Sequence, residues 1–168
     1  MKALVGQFAP NSRWYRARVV DLEGQPSWTL AQMRSMWQRT FRRDTGMMVA
    51  QLLRRHWSVL ANTHWPRQAM AERRPEWMYV NGVGRGYVDA AGGRALTGLM
   101  DVNPPFSDDS WAYLWEHGLG ALHIYAARHG KWHHLATLPA DVWAGMTEQL
   151  VVDVESRWCW LDREGAAA

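Results

Sequence analysis

The hydrophobic period of this chain changes near Glu76, and that change limits the folds open to it. Over residues 28–61, before it, apolar residues recur at steps of three and four. After it, short alternating runs are cut by Asn81-Gly82, Gly92-Gly93 and His129-Gly130. The first pattern belongs to amphipathic helices, the second to half-buried strands joined by tight turns. A chain carrying the two in separate blocks is predicted to be α+β, with helices covering one face of a mostly antiparallel sheet. At 168 residues it is expected to form one domain over residues 1–165, with a frayed tail at 166–168.

Residues 3–8 and 14–22 are predicted to form an N-terminal β-pair around Pro10-Asn11-Ser12. Ser27 is the expected N-cap of a helix over 28–43, with Leu30, Met33, Trp37 and Phe41 on its apolar face. Asp44-Thr45-Gly46 breaks it, and a second helix over 47–61 completes an αα-hairpin. Residues 67–74 add a short helical turn. Trp77 to Val80 and residues 83–90 read as a hairpin around Asn81-Gly82, the strongest type I′ signal, and residues 95–102 complete a central meander. Ser107, Asp108 and Asp109 suggest the start of a short helix ending at Gly118. Residues 119–127 and 132–138 form a C-terminal hairpin. A terminal helix opens at Pro139 and Asp141, with Asp141, Glu148, Glu155 and Asp162 recurring every seven residues as an acidic stripe.

The formal charge of +3 hides two opposed blocks. Residues 34–74 hold nine arginines against two acids, whereas residues 89–168 hold five basic and eleven acidic side chains. A basic block is the usual footprint of an anionic partner. Arg34, Arg39, Arg42, Arg43, Arg54, Arg55, Arg73 and Arg74 are therefore candidate contacts to phosphates or to an acidic protein surface. Trp37, Trp57 and Trp65, three of twelve tryptophans, are candidate stacking platforms for a single strand. The 28–61 pair superficially matches a helix-turn-helix, but Arg42 stands where close packing needs a small residue. The expectation is a small non-enzymatic binding or accessory protein, of the kind a bacterial phage or plasmid carries. Two rival readings of the charge remain open. The acidic stripe could neutralise the basic helices within one chain, or could meet the basic block of a second copy in a homo-oligomer.

The main enzymatic alternative is a histidine cluster. If His129-Gly130 is a two-residue turn, Tyr125 pairs with His134 and His123 with Ala136. His123, Tyr125, His134 and Trp132 then share one sheet face. Such a cluster suits acid–base chemistry near neutral pH. Two histidines are one or two ligands short of a zinc site, and Glu116 or His117 is the nearest third group, so no metal and no other cofactor is expected.

Other chemistry finds no anchor. Gly82-Val83-Gly84-Arg85-Gly86 lacks the spacing of a phosphate loop and reads as part of a hairpin. Cys159 is alone, between Trp158 and Trp160, and reads as a semi-buried thiol without a disulfide or metal role. No apolar run approaches the length of a membrane span, so the expectation is a cytoplasmic protein with no membrane partner.

Overall fold

A computed structural model of the chain describes residues 1–71, 74–88, 93–102 and 106–165, apart from the side chains of Asp162 and Glu164. Arg73, the end of the expected 83–90 strand, Gly92 and the 166–168 tail lie outside those residues, as does the Asp162 part of the acidic stripe.

Among the described residues nine strands share one mixed, mostly antiparallel sheet. The N-terminal pair forms as expected. β1 (Ala3–Phe8) and β2 (Trp14–Val20) are antiparallel, from Ala3 opposite Val20 to Phe8 opposite Tyr15. Their turn places Asn11 at φ 47°, a conformation Asn tolerates better than most residues. The remaining strands are β3 (Trp57–Leu60), β4 (Trp77–Val80), β5 (Gly84–Tyr87), β6 (Leu96–Leu99), β7 (Trp111–Trp115), β8 (Ala121–Arg128) and β9 (Lys131–Pro139). The order is β4-β5-β3-β2-β1-β7-β8-β9, with β6 also on β2. β1–β7 and β2–β3 are the parallel pairs.

Two expected helices are wholly or partly strand. Residues 107–118 carry β7, because Trp111-Ala112-Tyr113-Leu114-Trp115 is buried throughout. A strand buried on both faces beside a parallel neighbour reads as an unbroken apolar run, without period. The Ser107–Asp109 segment forms a turn, with the Ser110 N–H donating to Ser107 O at 3.1 Å.

The second helix, α2 (Thr45–Leu52), stops well short of residue 61 and gives way to β3. Its start is local: Asp44 is the N-cap, accepting the Met47 N–H at 2.9 Å. Its end is not. Arg18, buried on β2, donates through Nε to Leu53 O at 2.8 Å and through Nη2 to Arg54 O at 3.1 Å. A cation from another element thus binds carbonyls just past the last turn of α2, where the helix macrodipole is negative.

α1 (Pro26–Arg39) begins two residues earlier than expected and ends four residues earlier. Pro26 occupies the first turn, where a missing N–H costs nothing. Ser27 is inside the helix, and its N–H donates to Glu155 Oε1 at 2.8 Å. Beyond Thr40, Arg42 and Arg43 take positive φ of 49° and 68°, so the helix expected to reach residue 43 ends before them.

α3 (Arg67–Ala71) matches the expected short turn of helix. The 77–87 hairpin forms, but Val80 pairs with Gly84, leaving a three-residue loop. Gly82 alone in that loop has positive φ, at 75°, so the turn is not type I′. A Cβ there would lie 2.4 Å from Thr40 Oγ1. β6, expected as the third strand of a meander, pairs with β2 instead.

The terminal helix is divided into α4 (Ala140–Ala144) and α5 (Glu148–Gly165), with Gly145 closing the first. Trp143, Met146, Val151 and Val154 from this region join the larger core cluster with Leu30, Met33, Met48 and Leu52. All helix-borne core residues lie in that cluster. The smaller one, on the opposite sheet face, is built around Leu4, Phe8, Ala17, Leu114 and Tyr125. Cys159 is exposed rather than semi-buried. Among the described residues no helix is long and apolar enough to cross a membrane.

Candidate functional site

The fold divides the arginine block. Arg34 lies in a groove between α1 and α5 that Glu148 and Glu155 also line, and its guanidinium donates to Met146 O. Arg55 is half-buried, with Nη1 against the Met78 sulfur. Arg74 stands over the Trp77 ring, 5.1 Å from its centroid. Arg39, Arg42, Arg43 and Arg54 are exposed.

Among the described residues the acidic helix therefore meets the block only at Arg34. The Lys and Arg ion pairs among the described residues are Lys2–Asp21 and Arg13–Asp101, and neither involves an arginine of residues 34–74. Glu155 instead accepts the Ser27 N–H.

The expected stacking tryptophans are mostly core. Trp57 is fully buried, with its indole N–H donated to Leu52 O at 2.9 Å. Trp37 is 8% exposed and donates to Thr45 Oγ1 at 3.0 Å. Trp65 is half-buried against Tyr79, ring centroids 4.9 Å apart. Buried rings cannot present a face to a base, so Trp57 and Trp37 have no stacking role.

Another set of residues takes their place. Trp14, Arg16 and Arg18 alternate along β2, so all three project from the helix-covered face of the sheet. Arg18 is spent on structure: besides its α2 contacts, its Nη1 donates to Gly93 O at 2.8 Å. Arg16, two residues away, is exposed, as is Arg54 at the end of α2. Together they line a hollow of about 450 Å³ with Gln7, Val49 and Leu53, and no carboxylate among the described residues contributes to its lining. A second hollow of about 390 Å³ shares Gln7, Arg16 and Leu53 and adds Trp14, which is 54% exposed. Neither the Arg16 nor the Arg54 side chain has an ion-pair or hydrogen-bond partner among the described residues. Arg39 ends α1, and Arg42 and Arg43 stand on the segment leading into α2, the helix that walls the first hollow.

The alternation of Trp14, Arg16 and Arg18 was legible in the sequence. Its significance depended on α2 ending over β2, which no local pattern encodes.

His56, just past Arg54, fixes the α2–β3 junction. Its Nδ1 accepts the Val19 N–H at 2.9 Å, so Nε2 carries the proton and donates to Arg94 O at 3.1 Å. Burial, reinforced by the Arg18 charge, lowers its pKa below the ordinary histidine value.

The histidine cluster assembles on the opposite sheet face, at the same end of the sheet. His129 and Gly130 have positive φ of 51° and 69°, a two-residue type I′ turn. Tyr125 pairs with His134 as expected, but a bulge follows and His123 lies opposite Thr137 rather than Ala136. His123 Nδ1 is 3.2 Å from His134 Nε2, and His123 Nε2 is 3.0 Å from Glu116 Oε1. Tyr125 packs edge-on against His134, ring centroids 5.0 Å apart, and is buried. A cavity of about 390 Å³ adjoins the cluster, lined by Phe8, Arg13, Glu116, His117, His123 and Tyr125 among others. Burial, then the neighbouring His123, lowers the His134 pKa below its ordinary value. Glu116, rather than His117, is the third group. No three His, Cys, Asp or Glu side chains among the described residues converge as metal ligands.

Comparison with protein-family models, with curated proteins and with solved structures finds no match to this chain, so its function is argued from these two sites.

Proposed function

We propose that this protein binds single-stranded nucleic acid through the face formed by Trp14, Arg16 and Arg54, extended by Arg39, Arg42 and Arg43. The observation that carries the reading is the hollow lined by Arg16 and Arg54, with no carboxylate among its described lining residues and no described partner for either guanidinium. An arginine left unpaired in a concave site is suited to a phosphate, which its planar fork can grip bidentately. Trp14, exposed in the adjoining hollow, supplies an aromatic surface for a base. Arg42 and Arg43 keep left-handed backbone conformations at exposed positions, each costing about 1–2 kcal/mol relative to ordinary helical geometry. An acidic protein surface would meet the same charges but would leave the exposed indole without a specific role.

The test is fluorescence anisotropy with a labelled oligothymidylate, its duplex with oligodeoxyadenylate, and an oligoglutamate peptide. Tightest binding to the single strand is expected, weakened roughly a hundredfold or more in the Arg16→Ala/Arg54→Ala variant, since each of the two charge-assisted contacts is worth about 1.5–3 kcal/mol. Tighter binding to the peptide would reassign the face to an acidic protein partner. No binding to any of the three would overturn the reading.

A further inference from the structure

The bulge in the β8–β9 hairpin changes which side chains face His123. Along a regular strand, residues three apart lie on opposite faces, so His134 and Thr137 would be separated by the sheet. In β9 the pairing steps from Tyr125–His134 to Ile124–Ala136, leaving Leu135 as the extra residue. Leu135 and Ala136 both turn into the larger core, and Thr137 arrives on the same face as His134. Bulges re-aim side chains in this way, and they are over-represented beside active sites.

The re-aimed hydroxyl meets an oriented base. Thr137 Oγ1 lies 3.2 Å from His123 Nδ1 and 3.1 Å from His134 Nε2. On the far side of the His123 ring, Nε2 lies 3.0 Å from Glu116 Oε1. A carboxylate can only accept, so Nε2 carries the His123 proton, and in the neutral ring the lone pair is at Nδ1, facing Thr137. Hydroxyl, imidazole and carboxylate in this sequence are the parts of an activated nucleophile: a base within reach of the hydroxyl, held in one tautomer by a third group. Thr137 is exposed, and His123 and Glu116 open onto the cavity that Phe8 and Tyr125 wall.

We propose that Thr137, His123 and Glu116 form a nucleophilic triad that accepts the acyl group of a small ester. Thr137 Oγ bonds to the carbonyl carbon while its proton passes to His123 Nδ1. The bond from that carbon to the leaving oxygen then breaks, and the proton returns from His123 to the departing alkoxide. Water next attacks the acyl-threonine, giving one proton to Nδ1. The Thr137 oxygen recovers a proton as the carboxylic acid leaves. Glu116 is a positioning residue, and it stabilises the imidazolium formed in each half. His134 offers a second nitrogen to the hydroxyl, and its lowered pKa favours the neutral ring there. The small-ester class follows from the exposed strand face and the modest cavity, whose aromatic wall suits a short apolar acyl group.

The probe is 4-nitrophenyl acetate, with release of 4-nitrophenolate followed optically and the acetyl group located by peptide mass mapping. A rapid release of one equivalent per chain is expected, with the acetyl group on Thr137. Thr137→Val and His123→Ala should lower the initial rate about 10²-fold or more, and Thr137→Ser should retain it. The charged or titratable groups bordering His123 are Glu116 and His117 beyond β7, Arg13 from the β1–β2 turn, Tyr125 from β8 and His134 from β9. Against that background Glu116→Gln should move the acid limb of the pH–rate profile to lower pH, because the imidazolium loses its counter-charge, a shift that loss of packing alone would not give. Acetyl groups mapped in the wild-type chain only to lysines or other histidines would overturn the proposal, as would Thr137→Val reacting at the wild-type rate.

Discussion

Two arginine environments on the helix-covered side of the sheet carry opposite lessons. At Arg34 the acidic helix is close: Glu148 and Glu155 line the same groove, and the guanidinium is already engaged with Met146 O. At Arg16 and Arg54 the hollow has no acid among its described lining residues, and both side chains lack described partners. Arg18 sharpens the contrast. It lies two residues from Arg16 on the same strand face, yet it donates to the carbonyls of Leu53, Arg54 and Gly93. Charge counted along the sequence treats these arginines alike. The fold separates one facing acids and one holding a helix end from two with no partner among the described residues.

The largest effect that sharpens this comparison is on stability. Trp57→Ala should destabilise the fold by about 3–5 kcal/mol, as expected for removing a fully buried large aromatic. Trp14→Ala should change stability by no more than about 0.5 kcal/mol, because Trp14 is mostly exposed. In oligothymidylate binding Trp14→Ala should cost about 1–3 kcal/mol. Urea denaturation and anisotropy on the two variants give both readings. A Trp14→Ala variant that binds like wild type would remove the stacking platform from the site.

A smaller effect separates the two arginine environments directly. Arg34→Ala should weaken oligothymidylate binding less than twofold, since that side chain is held beside acids, while Arg54→Ala should weaken it about tenfold. Equal losses in anisotropy titrations would mean that the block acts through its total charge, and the distinction between groove and hollow would fail.

The smallest expected effect concerns pH. The folded pKa values of His56 and His134 are lowered, so the unfolded chain takes up protons first as pH falls. Their contribution to stability is full above about pH 7, declines below the unfolded value near 6.5, and levels off beneath the folded values. For His56 the cause is concrete: protonating Nδ1 removes the acceptor of the Val19 N–H. The urea midpoint should therefore fall between pH 7.5 and 5.5, and His56→Asn should flatten that fall. A midpoint rising over the same interval would reverse the sign of this linkage.

What was legible in the sequence follows the range of the interactions involved. The β1–β2 pair and the His129-Gly130 turn are written in neighbouring residues, and both formed as read. β7 and the end of α2 are not. Trp111–Trp115 is a strand because β1 lies parallel beside it, and α2 stops where Arg18, far away in sequence, binds the carbonyls beyond its last turn. The candidate sites show the same division. The exposed charge of Arg42, Arg43 and Arg54 was readable, but the hollow containing Arg16 depends on a β2–α2 contact. Thr137 could not be placed beside His123 without the bulge at Leu135, because a simple two-residue register puts Ala136 there.

The most direct test of the central claim is the salt dependence of oligothymidylate affinity for wild type and for Arg16→Ala/Arg54→Ala. Single-stranded binding loses affinity with a log–log slope of about −0.7 per phosphate neutralised. A wild-type slope of roughly −2 to −3 is expected, shallower by about 1.4 in the double variant. Equal slopes for the two proteins, or an affinity that does not change with salt, would contradict the claim that Arg16 and Arg54 are the unpaired cations of an anion-binding face.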